Sequence, residues 1–168
     1  MSRVLCLDPG STETGYAVLD RETLKPLEFA KVKNGDLVRM MMWKIKFDEF
    51  VTERMESFGM GIGRTTLIAS EWVGRFSQVA EILGYQVNYI YRHTEKIHIC
   101  HDSRAKDANI RRALIDRFAQ HDFKNGKGTK SNPDWFYGVS KDCWSAIAVG
   151  ICYVERGPDE SGSEAKYS

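Results

Sequence analysis

The sequence has few features of a secreted, redox-active or membrane-inserted protein. Its four cysteines are scattered and no two of them have CxxC spacing, so neither a zinc knuckle nor a thioredoxin-like site is indicated and reduced thiols are expected. No charged segment followed by an apolar run opens the chain, and no apolar run approaches membrane-spanning length. We therefore expect a cytoplasmic protein with no membrane partner.

The chain has no large excess of charge of either sign, but its charges are unevenly placed. The 168 residues carry a net charge of +1, with 42% hydrophobic residues and four prolines, a composition typical of one globular domain. Residues 92–130, the basic segment, nevertheless hold ten Lys or Arg against five Asp or Glu, together with all four histidines. This segment is either the solvated face of a helix or a surface that binds phosphate groups.

Strand and helix patterns alternate along most of the chain. The patterns predict an antiparallel meander of three strands, followed by strands that alternate with helices and therefore pair in parallel. The predicted elements are strands at 3–8, 15–20, 27–33, 66–70 and 86–91, helices at 37–58, 75–83, 106–118 and 141–155, and a long mobile loop at 119–138. We assign residues 1–156 to one domain and residues 157–168 to a disordered tail.

Three carboxylates fall at the ends of predicted elements. Asp8 ends the first strand, Glu71 ends a later strand, and Asp142 lies in the first turn of the last helix. If these elements are neighbours, the side chains converge within reach of a divalent ion, and their hard oxygen ligands suit magnesium or manganese. Such a cluster supports two-metal hydrolysis of a phosphodiester, with the basic segment holding the phosphate backbone. The alternative is that Asp142 only complements the helix dipole and that Glu71 is a solvated residue at a strand end.

Four stretches of the sequence carry a resemblance to a known family. They are LCLDPGSTETGYAVLD, ASEWV around Glu71, RHTEKIHICHDSRAKDANIRRALIDRF and SKDCWSAIAVGICY. Together they resemble the RuvC family of Holliday-junction resolvases, and most closely its bacteriophage type. The order of elements is similar to the ribonuclease H-like fold. The resemblance implies an α/β domain whose five-stranded mixed sheet has three antiparallel strands and then parallel strands, flanked by helices.

The same resemblance implies an activity. It is that of a crossover junction endodeoxyribonuclease, a metal-dependent, structure-selective enzyme of DNA recombination and repair. Such an enzyme resolves Holliday junctions or other branched DNA by hydrolysing phosphodiester bonds. Family members act as homodimers on four-way junctions, and a bacteriophage origin would place this chain in the cytoplasm of a bacterial host.

The resemblance also implies roles for individual residues. Asp8, Glu71 and Asp142 would bind Mg²⁺ or Mn²⁺, with two ions per site, and Lys106 would act beside the scissile phosphate. Ser145 stands where the family usually has a further acid, and so marks a possible fourth-ligand position. The residues expected to contact DNA are Ser11, Thr12, Lys96, Arg104, Lys106, Lys124, Lys127 and Lys130.

Other functions remain open at this point. Ser145 is compatible with a branched-DNA-binding protein that cleaves weakly or not at all, and a flap or branch nuclease or a ribonuclease H would use the same carboxylate chemistry. The DxGSTxTG turn also resembles the phosphate loop of ATP-binding actin and Hsp70-like domains, although the chain lacks their length and second loop. The aromatic residues 135–137 either stack on unpaired bases or anchor a loop in the core.

Overall fold

The computed structural model describes residues 1–159, and these form one mixed sheet with helices on both faces. The strands are β1 (Arg3–Pro9), β2 (Glu13–Asp20), β3 (Pro26–Lys33), β4 (Glu49–Arg54) and β5 (Val87–Tyr91), and the helices are α1 (Asn34–Trp43), α2 (Arg64–Ile82), α3 (Arg92–Cys100), α4 (Asp107–Phe118) and α5 (Trp144–Arg156). A short 3-10 helix, Lys141–Cys143, leads into α5. Within residues 1–159 no helix combines the length and apolar character needed to span a bilayer.

The sheet has the strand order β3-β2-β1-β4-β5. The first three strands form an antiparallel meander, and β4 and β5 continue the sheet in parallel with β1. The predicted fold class is therefore confirmed, including the change from antiparallel to parallel pairing. Because β1, β4 and β5 run in the same direction, their carboxyl ends share one edge of the sheet.

The two faces of the sheet are covered by different helices. Leu5 and Leu7 of β1 pack with α1 and α2, whereas Val4 and Cys6 face α5. Gly150 permits this second contact, since a Cβ atom at this position would lie 2.3 Å from the Cys6 Sγ. A glycine in α5 thus allows the helix to lie directly on the central strand.

Two of the predicted elements between β3 and β5 are wrong. The helix predicted at 37–58 ends as α1 at Trp43, and Glu49–Arg54 forms β4. The strand predicted at 66–70 lies inside α2, where Leu67 is exposed and Ala69 is buried. A short apolar run does not by itself distinguish a buried strand from a helix. Residues 49–54 form a strand because β1 and β5 pair with them on either side.

Residues 119–138, which the sequence predicts as a mobile loop, are held in place by hydrogen bonds to carboxylates and by packing of aromatic side chains. Asp134 accepts hydrogen bonds from the backbone N–H groups of Gln120, His121 and Asp122 at 2.7–2.9 Å. Phe136 is fully buried, and Trp135 stacks on Phe118 with ring centroids 5.5 Å apart. Two of the three aromatic residues are therefore core anchors, whereas Tyr137 is exposed (44%).

Part of the predicted tail lies within the described residues. The Asp159 N–H donates to the Tyr89 carbonyl at 2.9 Å, and the Asp159 carboxylate accepts from the Tyr91 N–H at 2.9 Å. Asp159 is thereby held against the outer side of β5. Residues 160–168, the rest of the predicted tail, lie outside the described residues.

Candidate active site

Two acidic side chains end neighbouring strands at the shared edge of the sheet. Asp8 lies near the end of β1, where the sequence predicted it, and Glu53 lies near the end of β4. The strands are parallel, with Leu7 paired to Thr52, so Asp8 and Glu53 follow adjacent positions. Glu53 therefore has the strand-end position that the sequence analysis gave to Glu71.

Glu71 itself lies elsewhere. It is an exposed residue of α2, and the prediction that it ends a strand is wrong. The sequence did contain a signal for the acid at the strand end, because Phe50–Thr52 is a short run of strand-forming residues that ends on Glu53. The helical interpretation of 37–58 concealed it.

Asp142 lies close to the position of Asp8 because Gly15 of β2 leaves room for it. The 3-10 helix lies on β2 so closely that a Cβ atom on Gly15 would be 2.5 Å from the Asp142 carbonyl oxygen. Gly15 is paired with Asp8 across β1 and β2. The glycine of the Thr-Gly-Tyr stretch therefore allows the Asp142 backbone to lie beside the strand position of Asp8.

Asp8, Asp142 and Ser145 line one cleft of about 510 Å³. The Asp142 carboxylate is paired with Lys31 of β3, with 3.1 Å between Oδ1 and Nζ. The described residues that line the cleft include neither Glu53 nor Glu71. Glu53 is instead only 6% exposed.

The turn between β1 and β2 is held by a buried amide that the sequence analysis missed. The Asn34 side chain donates to the Gly10 carbonyl at 2.9 Å and accepts from the Thr14 hydroxyl at 2.6 Å, while its backbone N–H donates to the Thr12 carbonyl at 3.0 Å. Asn34 is 2% exposed. Three contacts from one residue thus fix the turn that follows Asp8.

Glu53 is in an environment that disfavours its charge. Burial raises the pKa of Glu53 well above its usual range, and the negative charges of Asp8 and Glu95 add to the increase. Arg92 lies 3.7 Å from Oε1 and opposes it. Within residues 1–159, the Oε2 atom has no hydrogen-bond partner.

Glu95 is a second buried acid that the sequence analysis did not identify. It lies in α3, is fully buried, and neither of its carboxylate oxygens has a hydrogen-bond partner in the described part of the chain. Burial raises the pKa of Glu95 to about 8; the charge of Arg92 opposes the increase, and that of Asp8 adds to it. Its only sequence signal was an acid a few residues after the strand at 86–91.

The donor atoms fit a hard divalent cation, although they do not enclose one. No three His, Cys, Asp or Glu side chains of the described residues are arranged to hold a metal ion. Glu53 and Glu95 nevertheless have buried oxygens without hydrogen-bond partners, near the negative charge of Asp8. Carboxylates in this state are costly unless a cation or hydrogen-bond donors offset them. Magnesium and manganese prefer oxygen ligands of this kind, and binding requires these side chains to move together.

The wall of the cleft formed by α4 and the segment after it carries more basic than acidic residues. Arg111, Arg112 and Lys124 line it together with Asp107, and Lys31 and Lys141 line the side near Asp142. Arg112 also fixes residues 119–138, since it donates to the carbonyls of Phe123 and Lys124.

The residues predicted to contact DNA are distributed over several elements. Lys124 is the one that lines the cleft within the described residues. Lys106 precedes α4 and is exposed, and its backbone N–H donates to the Asn109 side chain at 2.9 Å. The others are Ser11 and Thr12 in the β1–β2 turn, Lys96 in α3, Arg104 between α3 and α4, and Lys127 and Lys130 in the segment 119–138.

The strand order, the flanking helices and the acidic sheet edge define a ribonuclease H-like α/β fold. No protein-family model matches the sequence, and no curated protein sequence matches it. Among solved structures, the fold is similar to that of T. thermophilus RuvC in complex with a Holliday junction substrate, with a TM-score of 0.61 and 15% identity over 91% of this chain and 93% of that one. A second structure of Thermus thermophilus RuvC gives a TM-score of 0.62 and 13% identity over 90% of this chain and 92% of that one. The resemblance to RuvC is thereby confirmed for the fold.

Proposed function

We propose that the chain is a metal-dependent endonuclease that resolves Holliday junctions or other branched DNA. The observation that carries this proposal is the pair of acids at the ends of β1 and β4, because one of them, Asp8, lines a cleft that also holds Arg111, Arg112 and Lys124. In a RuvC-like fold this arrangement places acidic groups and phosphate-binding groups on opposite sides of one groove. One of the similar RuvC structures contains a Holliday junction substrate, which supports branched DNA as the ligand.

The proposed metal ligands are Asp8, Glu53 and Asp142, with Glu53 replacing Glu71. Bound Mg²⁺ or Mn²⁺, proposed as two ions per site, would activate a water molecule and stabilise charge on the phosphate. Lys31 is paired with Oδ1 of Asp142, so Oδ2 is the oxygen that would bind the metal ion while Lys31 stays beside the site. Asn34 keeps the turn after Asp8 in one conformation.

The proposed DNA contacts are electrostatic and positional. Lys106 would stabilise charge on the scissile phosphate, and Arg111 and Lys124 would hold the backbone along the basic wall of the cleft. The turn residues Ser11 and Thr12 offer hydroxyl groups beside Asp8. The remaining predicted contacts are Lys96, Arg104, Lys127 and Lys130.

We also propose a homodimer, because a four-way junction presents two symmetry-related strands to a two-fold pair of sites. Helix α2 exposes Leu67 (53%) and Ile82 (73%), which suits a subunit contact. The bacteriophage type and the bacterial cytoplasm stay predictions from the sequence resemblance.

The test is cleavage of an end-labelled four-way junction beside linear duplex, flap, fork and RNA–DNA hybrid substrates, with Mg²⁺, Mn²⁺ or chelator. We expect symmetric nicks on the junction that disappear with chelator, with Asp8→Asn and with Glu53→Gln. Glu71→Gln is the matched control and should cleave like the unmodified chain. Loss of cleavage with Glu71→Gln but not with Glu53→Gln would contradict the proposed ligand set.

A second candidate function is junction binding with little cleavage. It is favoured by Ser145, which lines the cleft with a neutral side chain. In that case the chain binds the junction without nicking it, and Ser145→Asp increases cleavage. Equal binding to linear and branched DNA would contradict both candidate functions.

A further inference from the structure

The position of Glu95 follows from the sheet topology. Helix α3 begins directly after β5, and β5 is the parallel neighbour of β4, with Glu53 paired to Ile90. Glu95 therefore lies one helical turn beyond the end of β5, at the sheet edge that already holds Asp8 and Glu53. Across the sheet, the acids follow the order Asp142 over β2, Asp8 on β1, Glu53 on β4 and Glu95 after β5.

No hydrogen bond within the described residues accounts for the buried position of Glu95. The residue is fully buried, and both of its carboxylate oxygens are without a hydrogen-bond partner within residues 1–159. An apolar side chain of similar size would fill this place without leaving polar atoms unsatisfied. The charges of Arg92 and Lys96 offset the burial only in part, and a buried acid without hydrogen-bond partners is typical of a functional site.

The charge around Glu95 is also incompletely balanced. Arg92 lies beside Glu53 and is paired with Asp107. Asp8 and Asp107 both act on Glu95 as negative charges. Lys96 adds a second, weaker positive charge, yet the pKa of Glu95 stays raised. A divalent cation would supply further positive charge at this place.

Ser145 lies next to Asp142 on the other side of the cleft and offers a neutral hydroxyl oxygen. Glu95 lies beyond Glu53 on the β5 side of the sheet edge. A cation bound by Glu95 would therefore lie on the β5 side, away from Ser145.

We propose that Glu95 is a metal-binding residue that shares a divalent cation with Glu53 and Asp8. This inference rests on the proposed metal-dependent function. It moves part of the metal site from the α5 side of the cleft to the α3 side. The ligand class is a hard divalent cation, Mg²⁺ or Mn²⁺.

The test measures Mn²⁺ binding to the full chain without DNA, by titration calorimetry and by the loss of the free Mn²⁺ signal in electron paramagnetic resonance. Glu95→Gln keeps the shape of the side chain and should weaken Mn²⁺ binding at least tenfold or remove one bound ion. Glu22→Gln, an exposed glutamate in the turn after β2, is the matched control and should bind Mn²⁺ like the unmodified chain.

Asp8→Asn separates this inference from the proposed function. If Asp8→Asn weakens Mn²⁺ binding and Glu95→Gln does not, the role of Glu95 is overturned and the proposed function stands. If the unmodified chain binds no Mn²⁺ and does not cleave the junction, the proposed function fails and the inference fails with it.

A second measurement does not depend on any variant being folded. Crystals of the unmodified chain soaked in MnCl₂ should show an anomalous peak with a Glu95 carboxylate oxygen about 2.1 Å away, the distance typical of a small hard cation. A peak bound by Asp8 and Glu53 with Glu95 still turned away would overturn the inference.

Discussion

Two regions of the molecule bury a carboxylate to the same extent but shift its pKa in opposite directions. Asp134 in the segment 119–138 and Glu53 at the end of β4 are each 6% exposed. Burial opposes ionisation of Asp134, yet hydrogen bonds from the backbone N–H groups of His121, Gln120 and Asp122 hold its pKa well below the usual range. Glu53 has no comparable donors in the described chain, and burial together with Asp8 raises its pKa.

The difference separates a structural acid from the two acids that we propose as metal ligands. Asp134 organises the loop because backbone donors are already directed at its two oxygens. Glu53 and Glu95 have oxygens with no such donors, so their charged form needs a cation. Burial alone does not distinguish Asp134 from Glu53 and Glu95. The number of hydrogen-bond donors directed at the carboxylate does.

The largest expected effect is on cleavage at the acidic edge. Glu53→Gln should reduce the cleavage rate by about 10²- to 10³-fold, since a charged ligand becomes neutral. In chelator the same variant should be at least as stable as the unmodified chain, because it removes a buried acid without donors. The measurements are single-turnover junction cleavage and urea unfolding. A marked loss of stability in chelator would show that Glu53 is structural, like Asp134.

The pH dependence of stability should be large in the metal-free protein. The folded state keeps the Glu95 proton up to about pH 8, whereas the unfolded chain loses it near 4.5. Between these values the folded state binds more protons, so the free energy of unfolding falls as the pH rises. The contribution of neutral Glu95 is complete below pH 4.5 and is lost as the pH rises to about 8.

Thermal unfolding with chelator between pH 4.5 and 8.5 checks this prediction. Glu95→Gln should flatten the decline of the Tm over this range. An identical slope in the variant would show that Glu95 does not carry the proton. Asp134 should behave in the opposite way, because its lowered pKa makes stability fall as the pH drops below the ordinary Asp range.

Removal of the structural acid should cost stability directly. Asp134→Ala leaves several backbone N–H groups without their acceptor and should lower the free energy of unfolding by about 2–3 kcal/mol. Urea unfolding measures the loss. Glu22→Ala in the exposed turn after β2 is the control and should change stability by less than about 0.5 kcal/mol. If Asp134→Ala lowered the free energy of unfolding as little as the control does, Asp134 would not be a structural acid and would not differ from Glu53 in this respect.

A smaller effect is expected at the turn that positions Asp8. Asn34→Ala removes the side-chain contacts to Gly10 and Thr14 and should lower the free energy of unfolding by about 1–2 kcal/mol. Cleavage should fall more than Mn²⁺ binding does, because the turn also carries the proposed DNA contacts Ser11 and Thr12. Equal losses in both would indicate general unfolding of the site. Thermal unfolding and the two site assays are compared on the same preparation.

Much of the fold could be predicted because its signals are local. The apolar runs of β1 and β2 are separated by Pro9 and Gly10, and these turn residues set the first hairpin. Asp8 follows from that hairpin, and Asp142 from the start of the last helix. These two positions were correctly placed in the fold, although their roles stay predictions.

The errors concern features that depend on distant partners. Residues 49–54 form a strand because β1 and β5 pair with them on either side, and no spacing within the segment distinguishes that outcome from a helix. Because the strand was predicted at 66–70 and not at 49–54, the acid predicted at its end was Glu71 and not Glu53. Glu95 was missed for a related reason, since its burial arises from the packing of α3 on α4 and α5.

The contacts of Asp159 limit how this sheet can associate with other chains. β5 is an edge strand, and an edge strand with free backbone groups is a template for another strand. Here the Tyr89 carbonyl and the Tyr91 N–H on that edge are already paired with Asp159. Growth of the sheet by strand addition is therefore blocked along this part of the β5 border, and β3 is left as the other edge strand of the described sheet.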